Sequence, residues 1–384
     1  SSISSRPAMT IDTDTPLGSA PQEVAPQTPG GGGQPKRFKA AVYGATGYIG
    51  AELVRRLILH PDVELVRVCA ADHLGKPLGA AHPNLEGFTD LIITAVPADE
   101  SQVERVDVVF LALPHEVSWR VVAQLQHTGT RILDCSGAFR VDKASEYERF
   151  YGNVHPLPDL LPQFVYGLCE LNREAIKETR WLASPGCFAT TAELGLLPLA
   201  LAGVLRGDVY SVGITGSSGA GSTALPTTHH PTRSANLRSY SPLTHPHSPE
   251  ILQTLEHAGG KHLSIHFVPV AGPLARGILV NSFVQVPATV TQGQLDSWVD
   301  AAFTPGGFVR RPKERLPEVI AVAGSNFAEV KLVAGPVEGE VRTVTAISAL
   351  DNLLKGGAGQ AIQNMNLMLG LREDTALRDP GPYP

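Results

Sequence analysis

From Phe38 onward the chain alternates short apolar runs with amphipathic stretches. FKAAVYG is apolar, a glycine-containing turn opens AELVRRLILH with helical spacing, and VELVRVCAA is a second apolar run. Apolar runs of this length bounded by turn residues predict strands, and the helical spacing between them completes a βαβ unit. VDVVFLALP (106–114), a helical stretch from His115 to Gly129 and RILDCSG (131–137) repeat the alternation. Strands apolar on both faces and joined by helices call for a parallel sheet covered on both sides.

After residue 186 the texture changes. VYSVGITGS, LSIHFVPV, GILVNSFVQV, FAEVKLVAG and VRTVTAISAL read as strands, several with apolar/polar alternation and few helices between them. That predicts a second, α+β domain built on a mostly antiparallel sheet. Ile362, Met365 and Leu369, spaced by three and four, predict a last helix that must dock elsewhere on the chain. The expected division is a Rossmann-type α/β domain of residues 38–185 plus 351–384 and a second domain of residues 186–350. Residues 1–37 are rich in Gly, Pro, Ser and Thr, include Gly30 to Gly33 and offer almost nothing for a core, so they are expected to be a disordered tail. Asp12, Asp14 and Glu23 disfavour a transit peptide.

Bulk properties narrow the partners. With 384 residues, 43% of them apolar, the chain is long enough for more than one core. A net charge of −6 gives no electrostatic footprint for nucleic-acid phosphates or an anionic membrane. The longest strongly apolar stretch, Leu194 to Leu205, holds 12 residues and contains Pro198. That is too short to cross about 30 Å of hydrocarbon. Neither a nucleic acid nor a membrane is expected as a partner. Cys69, Cys135, Cys169 and Cys187 form no CxxC pair and fit the reduced thiols of a cytoplasmic protein.

Three segments carry candidate chemistry. The first is Gly44-Ala-Thr46-Gly47-Tyr48-Ile49-Gly50, between the first strand and helix. Glycines there allow close approach of a pyrophosphate, and the helix N-terminus stabilises its charge, so the loop reads as a dinucleotide site. A tight βα turn that binds nothing is the other reading, and the strand–loop–helix–strand context weighs against it. Asp72 lies 22 residues beyond Gly50, where an acid accepts the ribose hydroxyls of NAD; His73 and Lys76 could instead pair with a 2′-phosphate if Asp72 points away.

The second is Ser184-Pro-Gly-Cys187, which places Cys187 in the first turn of a helix, where the dipole is expected to lower the thiol pKa for a nucleophile. A buried cysteine at a helix start is the plainer reading, and Cys69, Cys135 and Cys169 are read as structural. The thiolate needs an acid/base partner, and His229, His230, His245 and His247 cluster downstream. His245-Pro-His247 precedes Ser248, an expected N-cap, and Pro249, an expected first helical residue. Zinc is a rival use of these histidines, disfavoured by their spacing and the lack of a cysteine among them, so no metal is expected. The third segment, Gly216 to Gly221, can offer backbone N–H groups to a phosphate or oxyanion, or serve only as a connection.

As a set, GATGYIG, SPGCFAT, GSSGAG, HPH-SPEI, ARGIL and DNLLKGGAGQAIQNMNLMLGL resemble the N-acyl-γ-glutamyl-phosphate reductases of arginine biosynthesis, from about Lys39 to Leu371. FVYGLCELNREAI and SPGCFAT look closest to a branch with N-succinyl substrates. The resemblance implies a semialdehyde dehydrogenase-like oxidoreductase whose second domain is catalytic and dimerising. The implied reaction converts N-acetyl-γ-glutamyl phosphate to N-acetylglutamate 5-semialdehyde and phosphate, with NADP(H) and a cysteine thioester. It makes Cys187 the nucleophile and His245 and His247 the acid/base pair. Gly44, Thr46, Gly47, Tyr48, Ile49, Gly50, Asp72, Ser217, Gly219 and Asn352 would bind the cofactor, with Lys355 nearby, and Arg140, Ser218 and Arg276 would hold the substrate's anionic groups. A small acyl phosphate and further copies of the chain, as a dimer or tetramer, are the implied partners.

Three positions depart from the pattern: Ser222 and Pro246 stand where Arg is common, and Ala189 where Pro is common. The same chemistry on N-succinyl-glutamyl phosphate is one alternative. Carrier-linked aminoadipyl phosphate of lysine biosynthesis is another, to which THHPTRSANLRSYSPLTHPH bears some likeness. Aspartate-semialdehyde dehydrogenase shares the architecture but fits the motifs less well. A non-catalytic dinucleotide-binding protein is the alternative of a different class, and the presence of Cys187, His245 and His247 weighs against it.

Overall fold

In the computed structural model, residues 37–98 and 105–383 are described, and the expected tail lies outside them except for Arg37. The apolar runs of the first half become strands of one parallel sheet: β1 (Phe38–Tyr43), β2 (Val63–Cys69), β3 (Ile93–Thr94), β4 (Val108–Leu111), β5 (Arg131–Asp134), β6 (Val165–Tyr166) and β7 (Trp181–Ala183). Their order is β3-β2-β1-β4-β5-β7-β6, with every pairing parallel. The order reverses between β1 and β4, and the crevice above such a switch point is where this architecture binds nucleotides. The glycine loop sits there. The N–H groups of Gly44 and Ala45 both donate to the Cys69 carbonyl, at 2.8 and 2.9 Å, which ties the loop to the end of β2.

Around this sheet lie α1 (Tyr48–Leu57), α2 (His115–Leu125), α3 (Ala144–Tyr151) and α4 (Cys169–Glu178). Leu53, Val54 and Leu57 of α1 are fully buried, the apolar stripe read from AELVRRLILH. The helix expected to reach Gly129 ends at Leu125, and Gly129 itself takes a left-handed φ of +82° in the turn that follows.

The second half forms a mixed sheet of β8 (Arg206–Thr215), β9 (Arg238–Ser239), β10 (Lys261–Ala271), β11 (Ile278–Pro287), β12 (Val309–Arg310), β13 (Ala328–Glu338) and β14 (Val341–Leu350). The order is β12-β13-β14-β11-β8-β10-β9. β8 runs parallel to β10 and β12 to β13, and the other pairs are antiparallel. The five long strands are the five runs read from the sequence. Helix α5 (Cys187–Leu201) packs on β11 and β14 and also touches α7 (Ser248–His257) and α8 (Gln292–Ala302). It is enclosed on nearly every side, which explains why its sequence is apolar all round. The short α6 (His230–Arg233) lies on the connection between β8 and β9.

After β14 the chain leaves the second sheet and enters the core of the first. A π-helical turn, Leu354–Ala358, leads into α9 (Gly359–Met368), and every residue from Asp351 to Leu369 is buried. Ile362, Met365 and Leu369 join Leu53, Val54 and Leu57 of α1 in one cluster. The polar residues of the segment are enclosed as well. Lys355, with no exposed side-chain surface, donates to Glu170 on α4 and to Gln363, each at 2.7 Å.

A buried lysine and carboxylate stabilise one another only as a pair, so losing one partner leaves an uncompensated charge. Lys355→Met should lower the unfolding free energy by about 3–5 kcal/mol in a urea titration. Adding Glu170→Gln to the same chain should restore most of that loss. A single variant as stable as the parent would show that the pair does not hold this segment in place.

Candidate active site

The site is built where β7 hands over to α5. Ser184 donates its N–H to the Asp134 carbonyl at 2.8 Å, keeping the turn in line with the first sheet. Pro185 and Gly186 then turn the chain, and Cys187 is the first residue of α5 with Gly186 as its cap. Arg140 clamps the turn from below. Its Nε donates to the Ser184 carbonyl and its Nη2 to the Cys135 carbonyl, both at 2.8 Å. On the other side Gly356 of the π-turn lies so close that a Cβ there would stand 2.9 Å from the Cys187 Cβ.

Cys187 is half-buried, and burial pushes its thiol up to about 11, against the lowering influence of the Arg140 charge and the Phe188 N–H. The helix start was expected to depress this value. Loss of hydration outweighs the helix end here, so the thiol is protonated and needs a base. Burial likewise pushes Cys135 up to about 12 and raises Cys69 and Cys169.

His245 and His247 stand with ring centres 4.6 Å apart, edge to face, and both rings meet Phe188 of α5. The His247 N–H donates to His245 Nδ1 at 3.2 Å, which fixes the His245 proton on Nε2. The His247 ring lies against Gly186, where any Cβ would collide with it. Burial lowers both imidazoles to about 3, helped by His247 at His245 and by Arg140 at His247. Both are therefore neutral near pH 7. Helix α7 begins at Ser248 with His247 as its cap, one residue earlier than expected.

Behind the histidines is a carboxylate the sequence reading did not single out. Glu250 is fully buried and accepts the Gly186 N–H at 2.9 Å and the Tyr166 hydroxyl at 3.0 Å. Its other oxygen lies 3.5 Å from Arg140 Nη1 and 4.0 Å from His247 Nε2. The same Tyr166 hydroxyl is 2.8 Å from Glu193, a lone acid inside α5. Burial and the Glu250 charge push Glu193 well above the usual carboxylate range, so Glu193 is neutral. Two sequence signals could have found these acids: Glu250 falls one turn after His247, and Glu193 is the only charged residue in an apolar run.

Cys187 and His247 lie where two cavities meet. One, of about 420 Å³, runs to the glycine loop and is bordered by Gly47 to Gly50, Arg140, Ser218, Gly219, Asn352 and Gly356. The other, of about 340 Å³, runs the opposite way past His245 to Arg233, Arg238 and Tyr240. Asn352 ties the GSSGAG loop to the C-terminal segment, accepting from the Gly277 N–H at 2.7 Å and donating to Ser218 Oγ at 3.0 Å. Ser217 is pinned through its N–H to the Leu274 carbonyl. At the far end of the crevice Asp72 accepts from Thr46 Oγ1 at 2.6 Å, with most of its side chain exposed.

The remaining expected residues lie elsewhere. Arg276 pairs with Glu52 of α1 at 2.5 Å and borders a cavity of about 510 Å³ that adjoins the crevice through Tyr48 and Ser218. Lys355 is turned away from the crevice into Glu170, because a fully enclosed ammonium needs a carboxylate. His229 and His230 are exposed and line neither cavity.

Comparison with known proteins fits this geometry. Residues 39–179 match the NAD-binding domain and residues 187–352 the dimerisation domain of semialdehyde dehydrogenases. An N-acetyl-γ-glutamyl-phosphate reductase of Desulforudis audaxviator is 37% identical over 90% of this chain and 100% of its own. The enzyme of that name from Methanosarcina acetivorans is 39% identical with the same coverage. A putative LysW-L-2-aminoadipate 6-phosphate reductase of Thermomicrobium roseum is 39% identical over 90% of this chain and 98% of its own. Aspartate semialdehyde dehydrogenase II of Vibrio cholerae shares the fold, with a TM-score of 0.66 over 88% of this chain and 99% of that one at 16% identity.

A thiol raised to about 11 makes a direct prediction for the free enzyme. The rate of Cys187 alkylation by iodoacetamide should keep climbing beyond pH 9 rather than level off near the usual thiol pKa of about 8.5. A plateau reached by pH 7 would mean that the helix end, not burial, governs the thiol.

Proposed function

Because the chain belongs to the N-acetyl-γ-glutamyl-phosphate reductase family of semialdehyde dehydrogenases, we propose that it reduces N-acetyl-γ-glutamyl phosphate to N-acetylglutamate 5-semialdehyde and phosphate. It would do so with NADPH as an oxidoreductase of arginine biosynthesis. The observation that carries this reading is the meeting of two cavities at Cys187 and His247, one leading to the glycine loop and the other away from it.

The crevice suits a dinucleotide. The first turn of α1 has no acidic residue and no side-chain cap, so its N–H groups are free to face a pyrophosphate. The loop from Gly44 to Gly50 would hold NADPH there, and the cofactor would supply the hydride that reduces the acyl group. Everything else falls to the chain's own residues.

His247 takes the proton of the Cys187 thiol. Its Nδ1 is buried without a hydrogen-bond partner among the described residues. The adjacent Glu250 carboxylate favours the imidazolium so formed, and the Arg140 charge favours the thiolate. Cys187 Sγ attacks the acyl carbonyl carbon, the carbonyl re-forms as phosphate leaves and takes up a proton from solvent, and Cys187 carries a thioester. The Ser218 hydroxyl, on the crevice wall beside Asn352, is the donor offered to the departing phosphate. The oxyanion of the reduced thioester takes a proton from His247. The same ring then removes it as the C–S bond breaks, releasing aldehyde and thiolate. His245, with its proton held on Nε2, positions His247.

The four cysteines are free thiols, which supports a cytoplasmic location. Tyr210, Val212 and Phe283 are exposed on one face of the second sheet, within the part that matches the dimerisation domain, and we take this face to pair with a second copy.

Phosphorolytic oxidation of N-acetyl- and N-succinyl-glutamate semialdehyde, followed by NADPH or NADH formation, tests the reading. Cys187→Ser should lower kcat by about 10⁴-fold or more while cofactor still binds, and His247→Asn by about 10²- to 10⁴-fold. Near-normal turnover in either variant removes that residue from its role. Asp72→Asn should lower the KM for NADP relative to NAD by about tenfold, because a carboxylate beside a 2′-phosphate is repulsive. An unchanged ratio would mean that Asp72 stays on Thr46 and never meets the cofactor.

A further inference from the structure

Arg140 and Arg276, the arginines expected to hold the substrate's anionic groups, are engaged by Glu250 and Glu52. A different pair lines the cavity that leaves Cys187 on the side away from the glycine loop: Arg233 at the end of α6 and Arg238 in β9. No Asp or Glu lines this cavity, and burial keeps its two histidines neutral near pH 7. Arg233 donates from Nη2 to the Thr215 carbonyl at 3.0 Å, while its Nε is buried without a partner. Arg238 is exposed, with its guanidinium 6.0 Å from the Tyr240 ring centre. Neither arginine pairs with an acid among the described residues. Two guanidiniums facing one cavity without a counter-charge repel each other and favour a ligand that brings negative charge.

We infer that Arg233 and Arg238 form a two-carboxylate subsite for the acyl part of the substrate. The inference rests on the reductase reading and refines its substrate class: acyl phosphates with a carboxylate on the α-carbon, among which those with a second carboxylate on the amide-linked acyl group, as in N-succinyl, are held more tightly than N-acetyl. The phosphate is joined to the carbon that Cys187 attacks, where the crevice offers its own donors. The arginines line the other cavity and so meet the remainder of the molecule. Arg233, half-buried beside the end of β8, takes the α-carboxylate, which is nearer the reacting carbon. Arg238, at the exposed rim, takes the second. Each planar fork can hold a carboxylate through two N–H groups.

The test reads binding and needs no turnover. Cys187 is alkylated with iodoacetamide in the presence of 4-acetamidobutyramide, N-acetylglutamine or N-succinylglutamine, which carry none, one and two carboxylates and a side-chain amide in place of the acyl phosphate. The apparent dissociation constant for protection should tighten by about tenfold at each added carboxylate. Arg233→Met should remove the first gain and Arg238→Met the second, with Arg→Lys at either position keeping part of it. Because Arg238 is exposed, its variants keep the test sharp even if Arg233→Met fails to fold. Equal protection by all three compounds, no protection by any, or gains untouched by the substitutions would overturn the subsite. The two readings fail separately: protection in these steps without any turnover would sink the reductase reading alone. Turnover of the N-acetyl substrate with flat protection would sink the subsite alone.

Discussion

Burying the stretch from Asp351 to Leu369 is the constraint on which the rest of the molecule depends. It carries seven buried polar side chains, Asp351, Asn352, Lys355, Gln360, Gln363, Asn364 and Asn366, and enclosing such groups is costly unless each finds a partner. All but Gln360 do. Asp351 accepts the N–H groups of Leu353, Leu354 and Gly324, and Asn364 holds the Gly167 carbonyl and the Cys169 thiol. Gly324 leads into the second sheet and Gly167 follows a strand of the first, so one segment ties the two halves that bear the crevice and the cysteine turn. The π-turn at its start is the point of closest approach, with Gly356 on Cys187 and Gly357 on Ile49. Such turns recur at functional sites because they displace the backbone locally without ending the helix.

The charges around the cysteine follow from one pairing. Glu193 is neutral, and the Glu250 carboxyl faces the Arg140 guanidinium at 3.5 Å, so Arg140 is not left as an unpaired charge behind the thiol. With no surplus positive charge and little water, the thiol stays protonated and the imidazoles stay neutral, which suits a site where the proton moves only when substrate is present. The histidines add a pH dependence to stability. Their folded values near 3 lie below the ordinary 6.5, so the unfolded chain binds more protons between these limits. Stability is therefore lost as pH falls from about 6.5 towards 3.

What the sequence disclosed was what local pattern governs. The βαβ unit, the glycine loop at its turn, the five long strands of the second sheet and Cys187 at a helix start all depend on neighbours within a few residues. The two-residue strands β3, β6, β9 and β12 were not legible, since so short a strand exists only because a longer one lies beside it. Glu250 and Tyr166 were hidden for the same reason: they are 84 residues apart and meet across two elements. Lys355 looked like a cofactor contact because the segment around it does reach the crevice, but only burial shows that its ammonium must turn to Glu170. Arg233 and Arg238 sit in a segment noticed only for its likeness to aminoadipyl phosphate reductases, and it is their shared cavity that sets them apart as a pair.

The docking of α9 also sets an order of events during synthesis. Ile362, Met365 and Leu369 complete the core that Leu53 and Leu57 begin, yet they leave the ribosome after the whole second sheet has been made. The first sheet must therefore wait, with part of its apolar surface open, until its final helix arrives from the far side of the other sheet. The second sheet can close around α5 without that delay. A nascent chain of this protein thus inverts the usual N-terminal-first sequence of folding, finishing its earlier half last.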